Sequence, residues 1–131
     1  MRPIAALVSA AGLLSAALIA PASAQQAPLK IGVLSDFSSV YSDIGGMGNV
    51  EATKMALEDF GGQMFGKPID MVSADVLNKP DVASTIARKW WETEGVDMII
   101  DLPTSATALA VMELSKQYEK IMIVTDAASS D

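Results

Sequence analysis

Two hydroxyl-rich segments offer the clearest binding chemistry in the sequence. Thr104-Ser105-Ala106-Thr107 follows one apolar run, and Ala127-Ala128-Ser129-Ser130 follows another. A helix that begins at such a segment presents free backbone N–H groups and the positive end of its dipole, which suit a carboxylate. We expect at least one of the hydroxyls simply to cap its helix. Because no general base accompanies the serines, the pattern favours a carboxylate cradle over a nucleophilic active site, and we expect no enzyme.

The composition removes several other functions. The chain has 131 residues with no Cys and no His, which excludes disulfides, thiolate nucleophiles, Ser-His-Asp triads and the usual zinc sites. Its net charge is −7 with no basic run, so it is a poor partner for nucleic acid. We expect no cofactor.

A glycine cluster, Gly45-Gly46-Met47-Gly48, precedes a helical pattern and raises the alternative of a dinucleotide-binding domain of an oxidoreductase. The fingerprint needs a small residue where Glu51 stands, and it needs the glycines directly after the first strand. We therefore expect these glycines to let a loop turn into a helix.

Three aspartates, Asp36, Asp75 and Asp101, each follow an apolar run. They suggest a metal trio, but carboxylates at strand ends also cap neighbouring helices. We predict no metal site.

The N-terminal segment has the pattern of a secretory signal. Arg2 precedes an uncharged run from Ile4 to Ala20, and Ala22-Ser23-Ala24 matches a small-x-small cleavage site. The alternative is a membrane anchor, but the run is short and Pro21 ends it. We predict a cleaved signal peptide over residues 1–24 and a mature, exported chain over 25–131.

The mature part alternates apolar runs with helical patterns. The predicted strands are Lys30 to Leu34, Ile69 to Ala74, Val96 to Ile100 and Ile121 to Val124. Runs that are apolar throughout indicate strands buried on both faces of a parallel sheet. The order β-α-β-α-β-α-β therefore predicts an α/β fold, a parallel sheet with helices on both faces, whose ligand lies beyond the carboxyl ends of the strands.

Helical spacing also predicts which residues share a face in each helix. The first helix has one face of Ala52, Met55, Ala56 and Phe60. The second repeats Val82, Ala83, Ile86, Ala87, Trp90 and Trp91 after a start at Asn78-Lys79-Pro80-Asp81. The third is expected to bury Ala106, Leu109 and Ala110.

An ordered set of segments resembles the leucine/isoleucine/valine-binding family, the periplasmic solute-binding proteins of ABC importers. The set runs from Leu29-Lys30-Ile31-Gly32-Val33-Leu34, through Tyr41 and Gly45, to Pro103-Thr104-Ser105 and Ile123-Val124-Thr125. Family members hold a solute in the cleft between two α/β lobes. The resemblance implies a periplasmic binding protein type I fold, of which residues 25–131 are the N-terminal portion of the first lobe. The second lobe is absent, so we expect a truncated chain.

The resemblance also implies ligand-binding residues. Thr104 or Ser105 matches the position that binds the solute carboxylate, Ala127 and Ser129 match the loop that holds the head group, and Tyr41 matches an aromatic that lines the side-chain pocket.

The function implied is capture of a small carboxylate-bearing solute, a branched-chain amino acid or an aromatic or organic acid, in the periplasm for an ABC importer permease. The run from Leu34 to Tyr41 looks closest to the branch that takes aromatic or other organic acids. A ligand-sensing domain of a receptor is a further alternative.

Overall fold

A computed structural model describes residues 27–129; the predicted signal peptide over residues 1–24 lies outside them. The elements are β1 (Lys30–Ser35), α1 (Gly46–Asp59), β2 (Gln63–Met64), β3 (Lys67–Pro68), β4 (Asp70–Asp75), α2 (Pro80–Glu92), β5 (Met98–Asp101), α3 (Ser105–Tyr118) and β6 (Ile121–Val124). The four predicted strands and three predicted helices are all present. The short hairpin of β2 and β3 was not predicted.

Four parallel strands form the central sheet in the order β4-β1-β5-β6. β1 pairs with β4 from Lys30 opposite Asp70, and with β5 from Ile31 opposite Met98. Parallel neighbours require crossovers, and the three helices lie in the three connections. This confirms the predicted α/β fold.

Side chains alternate along β1 and therefore serve two faces of the sheet. Ile31 lies on the face toward α1, whereas Leu34 packs in the core formed with α2 and α3. Gly32 also lies on the α2 side, where an added β-carbon would stand 2.4 Å from the Trp90 ring. Glycine at this position lets α2 approach the sheet closely.

The prediction for α2 is confirmed. Pro80 occupies its first turn together with Asp81, as expected for a helix start. Its buried residues are Ala83, Ala87, Trp90 and Trp91. Both tryptophans therefore belong to the core.

The predicted buried face of α3 was wrong. Ala106 is exposed, and Leu109 and Ala110 are only half-buried. The buried residues are Thr107, Ala108, Val111 and Leu114. Ala106, Ala108 and Ala110 stand at alternate positions on different sides of the helix, so apolar character alone does not determine which side is buried. The contact with α2 determines it.

Two apolar surfaces are exposed. One is the helix face of α1 that was predicted from the spacing of Ala52, Met55, Ala56 and Phe60, on which Met55 is 58% and Phe60 61% exposed. The edge strand β6 was expected to be buried on both faces, yet Ile121 and Ile123 are 62% and 49% exposed. The reason is that, within residues 27–129, no element covers the α1 side of β6.

Between residues 27 and 129, no helix has the length and apolar character needed to span a membrane.

Candidate functional site

The polar residues that end the strands gather at one edge of the sheet. Ser35 stands opposite Asp75 in the register of β1 and β4, and Leu34 stands opposite Asp101 in that of β1 and β5. Asp101 in turn stands opposite Val124, the last residue of β6. This is the edge at which ligands bind in open parallel sheets.

A buried carboxylate organises the loop after β1. Asp36 is fully buried and accepts hydrogen bonds from the backbone N–H of Ser39 (2.9 Å) and of Tyr41 (3.0 Å), and from the Ser39 hydroxyl. Burial alone raises the pKa of Asp36, but these hydrogen bonds outweigh it and hold the pKa below the ordinary value of 3.8. The carboxylate thereby fixes the backbone that carries Tyr41.

Asp75 braces the same loop from the neighbouring strand. Its carboxylate accepts hydrogen bonds from Phe37 N–H (3.0 Å), the Ser38 hydroxyl (2.5 Å) and Leu77 N–H (2.9 Å). Burial raises the pKa of Asp75, but the hydrogen bonds lower it by more, so the net shift is downward. Asp36 and Asp75 therefore act as acceptors for loop donors. Within the described residues, no group of three acidic side chains is placed to hold a metal ion.

The two hydroxyl-rich segments meet at the N-terminus of α3. Thr104 is the N-cap, and its hydroxyl accepts a long hydrogen bond from Thr107 N–H (3.4 Å). The Ser105 hydroxyl accepts a hydrogen bond from Ser129 N–H at 3.0 Å, which ties the loop after β5 to the loop after β6. The helix cap expected from the sequence is therefore Thr104.

Three of the five predicted ligand-binding residues share one cavity. Ser105, Ala127 and Ser129 line a cavity of about 280 Å³ whose other walls are apolar. Those walls comprise Ala108, Leu109, Met112, Met122 and Val124. Thr104 lies next to this cavity in the chain but does not line it, and Tyr41 belongs to the separate loop after β1. The cavity combines hydroxyl groups with an apolar interior, which is a suitable chemistry for an organic acid.

A second polar group, beneath the N-terminus of α1, was not predicted as a unit. Asp101 is 1% exposed, and its Oδ1 accepts a hydrogen bond from the Thr125 hydroxyl at 2.9 Å. Asn49, in the first turns of α1, donates to Asp126 Oδ2 at 2.9 Å. Asp101 has a positive φ of 89°, an uncommon backbone for a residue other than glycine. Only the repeated Asp at strand ends signals this group in the sequence.

The pKa of Asp101 lies above the ordinary value, in contrast to those of Asp36 and Asp75. Burial is the largest cause, and the nearby charge of Asp126 adds to it, while hydrogen bonds with Ser35, Thr125 and Asn49 only partly offset it. Oδ2 of Asp101 and Oγ of Ser35 are buried without a hydrogen bond of standard geometry among residues 27–129.

Comparison with known proteins identifies the family. Residues 28–131 match the family described as "Periplasmic binding protein", so the chain belongs to it. No curated protein sequence matches the chain.

Solved structures of the same fold support the assignment. A branched-chain amino acid ABC transporter periplasmic ligand-binding protein from Burkholderia xenovorans is 48% identical, with a TM-score of 0.75 over 77% of this chain and 27% of that one. A periplasmic binding protein from Burkholderia mallei is 42% identical, with a TM-score of 0.76 over 79% of this chain and 28% of that one. The chain thus spans little more than a quarter of the length of these relatives.

A more distant neighbour has a ligand in its structure. A solute-binding protein of an ABC transporter from Rhodopseudomonas palustris, in complex with 3,4-dihydroxybenzoic acid, is 23% identical, with a TM-score of 0.73 over 79% of this chain and 28% of that one. At this identity the likeness concerns the fold alone.

Proposed function

We propose that this chain is the N-terminal portion of the first lobe of a substrate-binding protein, and that its site holds a small organic carboxylate without transforming it. The observation that carries the proposal is the junction at the start of α3, where Ser105 bonds to Ser129 N–H and both line one cavity. Hydroxyls and the free N–H groups of a helix start favour an anion, and the apolar walls favour a hydrocarbon body.

This chemistry and the ligands of the relatives support the proposed solute class. The Burkholderia xenovorans relative is named for branched-chain amino acids, and the Rhodopseudomonas palustris neighbour contains a dihydroxybenzoic acid. Both ligand types carry a carboxylate on an apolar body. We assign Thr104, Ser105 and the loop from Ala127 to Ser129 to the carboxylate end, and Tyr41 to the side of the solute.

Affinity for a matched pair of ligands tests the role of the carboxylate. Benzoate is expected to bind at least about 10-fold more tightly than benzamide, its neutral analogue, in calorimetric titration of the chain. Ser105→Ala should weaken benzoate binding by about 10- to 150-fold, because hydrogen bonds to charged groups contribute roughly 1.5–3 kcal/mol. Ser73 is exposed on β4, so Ser73→Ala is the control and should leave the affinity for benzoate unchanged. Equal affinities for the two ligands, or equal losses in the two variants, would refute the assignment.

The cellular role is part of the same proposal. An exported binder of this family would deliver its solute to an ABC importer permease in the periplasm, and the signal pattern over residues 1–24 supports export. N-terminal sequencing of the exported protein should give Gln25 as the first residue, whereas an intact Met1 on exported protein would contradict it.

A further inference from the structure

The short loop from Asp126 to Ser129, which follows β6, is held at both of its ends. At its start, the Asn49 side chain donates a hydrogen bond to Asp126 Oδ2 at 2.9 Å. At its end, Ser129 N–H donates to the Ser105 hydroxyl at 3.0 Å. Ser105 and Ser129 line the cavity of the proposed site, whereas Asn49 belongs to α1 and is not among the lining residues. Asn49 therefore acts on the cavity through the loop that it holds.

Asn49 also connects this loop to the one that carries Tyr41. The backbone N–H of Gly45, the N-cap of α1, donates to the Tyr41 carbonyl at 3.3 Å, and Asn49 N–H donates to the Gly45 carbonyl at 3.3 Å. Hydrogen bonds thus run from Tyr41 through the first turn of α1 to Asp126. Tyr41 and Ser129 belong to separate loops, and the Asn49 side chain joins the two.

The space around the Asn49 amide is restricted. A β-carbon added at Gly45 would stand 2.8 Å from Nδ2 of Asn49 and 3.3 Å from Oδ2 of Asp126. Because the amide is the end of a side chain, it would be displaced before the backbone. Glycine at position 45 therefore leaves the room that the hydrogen bond between Asn49 and Asp126 occupies.

The position of Asp126 depends on Asn49. Asp126 is exposed, and within residues 27–129 its carboxylate is hydrogen-bonded to Asn49 and forms no salt bridge with a lysine or arginine. The Asp101 carboxylate lies close enough for the two charges to repel each other, and the Asn49 amide hydrogen-bonds to both carboxylates. Without that amide, the Asp126 carboxylate is free to move toward solvent, and the start of the loop moves with it.

We propose that Asn49 is a positioning residue for the solute: its amide holds Asp126 and thereby keeps the loop to Ser129 in the arrangement that lines the cavity. The role of Asn49 toward a solute rests on the proposed function, whereas the arrangement of the loop is measurable without a ligand. Two sets of measurements therefore separate the two claims.

Backbone amide signals of the ¹⁵N-labelled full chain, without ligand, test the hold on the loop. Asn49→Ala should shift the signals of residues 126–129, whereas Lys54→Ala, at an exposed position of the same helix, should leave them in place. Gly45→Ala should reproduce these shifts by displacing the Asn49 amide, and Gly48→Ala, with open space around the added carbon, is its control. Loop signals that stay in place in Asn49→Ala would overturn the proposal.

Calorimetric titration with benzoate tests the effect on the solute. Asn49→Ala should weaken benzoate binding about 3- to 10-fold, because the solute must then order the loop as it binds. Asp126→Ala should cause a similar loss. Asp126→Asn keeps a carbonyl oxygen that accepts from the Asn49 amide, so it should retain most of the affinity.

The outcomes distinguish this role from the proposed function. An affinity that stays unchanged in Asn49→Ala while the loop signals shift would overturn the positioning role, as would an Asp126→Asn variant that binds as weakly as Asp126→Ala. Failure of the unaltered chain to bind benzoate would contradict the proposed function, and the role of Asn49 toward a solute with it. Benzoate binding by the unaltered chain, with an equal affinity in Asn49→Ala, would contradict the role of Asn49 alone.

Discussion

Replacing Asp36 by Asn tests how the loop that carries Tyr41 is held. The Asp36 carboxylate is fully buried and accepts from three donors, the N–H groups of Ser39 and Tyr41 and the Ser39 hydroxyl. Hydrogen bonds to a charged acceptor contribute roughly 1.5–3 kcal/mol each, and a buried donor left unpaired costs about 1–3 kcal/mol. Asn keeps one acceptor oxygen but places an amide NH₂ against the remaining donors. We expect Asp36→Asn to lower the free energy of unfolding by about 2–4 kcal/mol.

Urea denaturation of the two proteins measures this difference. Asp43→Asn is the matched control, because Asp43 lies exposed in the same loop and its replacement should change stability by less than about 0.5 kcal/mol. A loss of less than about 0.5 kcal/mol in Asp36→Asn, or an equal loss in Asp43→Asn, would refute the reasoning.

The pH dependence gives a second check on the same variant. The pKa of Asp36 in the folded protein lies below the ordinary value of 3.8. Its contribution is therefore complete above the unfolded-state pKa and is lost as the pH falls through the folded-state pKa. The stability difference between the unaltered protein and Asp36→Asn should shrink as the pH is lowered from 5 to below 3.8. A difference that stays constant over this range would contradict the assignment.

Three further predictions concern stability and are read from urea midpoints. The pKa of Asp101 is raised in the folded protein, so its contribution to the free energy of unfolding is complete below pH 3.8 and is lost as the pH rises through the folded-state pKa. The stability of the unaltered protein relative to Asp101→Asn should therefore fall between pH 3.5 and pH 7. A stability difference that stays the same over this range would contradict the prediction. Gly32→Ala forces a β-carbon to within 2.4 Å of Trp90 and should cost about 1–3 kcal/mol, whereas Gly48→Ala, with open space around the added carbon in α1, should be neutral or stabilising by up to about 1 kcal/mol. Thr104→Ala removes the cap of α3 and should cost about 1 kcal/mol, which Thr104→Ser should largely restore.

The order of elements and the position of the site edge were predictable because they depend on short-range patterns. Apolar runs of strand length marked the four strands of the sheet, and Pro80 with Asp81 marked the start of α2. Parallel strands bring their carboxyl ends to one edge, so placing Asp36, Asp75 and Asp101 together required only the topology.

What could not be predicted depends on contacts between distant residues. The phase of α3 is set by its packing on α2, and neighbouring alanines carry no signal for it. Phe60 is exposed because none of the described residues covers it. Helical periodicity groups residues on one face but does not say whether another element packs against that face.

The sequence placed several candidate ligand-binding residues at one edge of the sheet, and their role in binding stays a prediction. Ser105, Ala127 and Ser129 share a cavity, because a hydrogen bond joins the loops after β5 and β6. The role of Asp36 in holding the backbone at Tyr41 was hidden, since a carboxylate at a strand end has the same sequence pattern whether it binds a ligand or a loop.

The most direct test of a carboxylate-holding site is the set of backbone amide shifts that benzoate induces in the ¹⁵N-labelled chain. The proposed function predicts that the largest shifts fall on Ser105, Ala106 and Thr107 at the start of α3 and on the loop from Ala127 to Ser129, and that benzamide fails to produce them. Benzoate shifts concentrated elsewhere, with both segments unmoved, would contradict the proposed site.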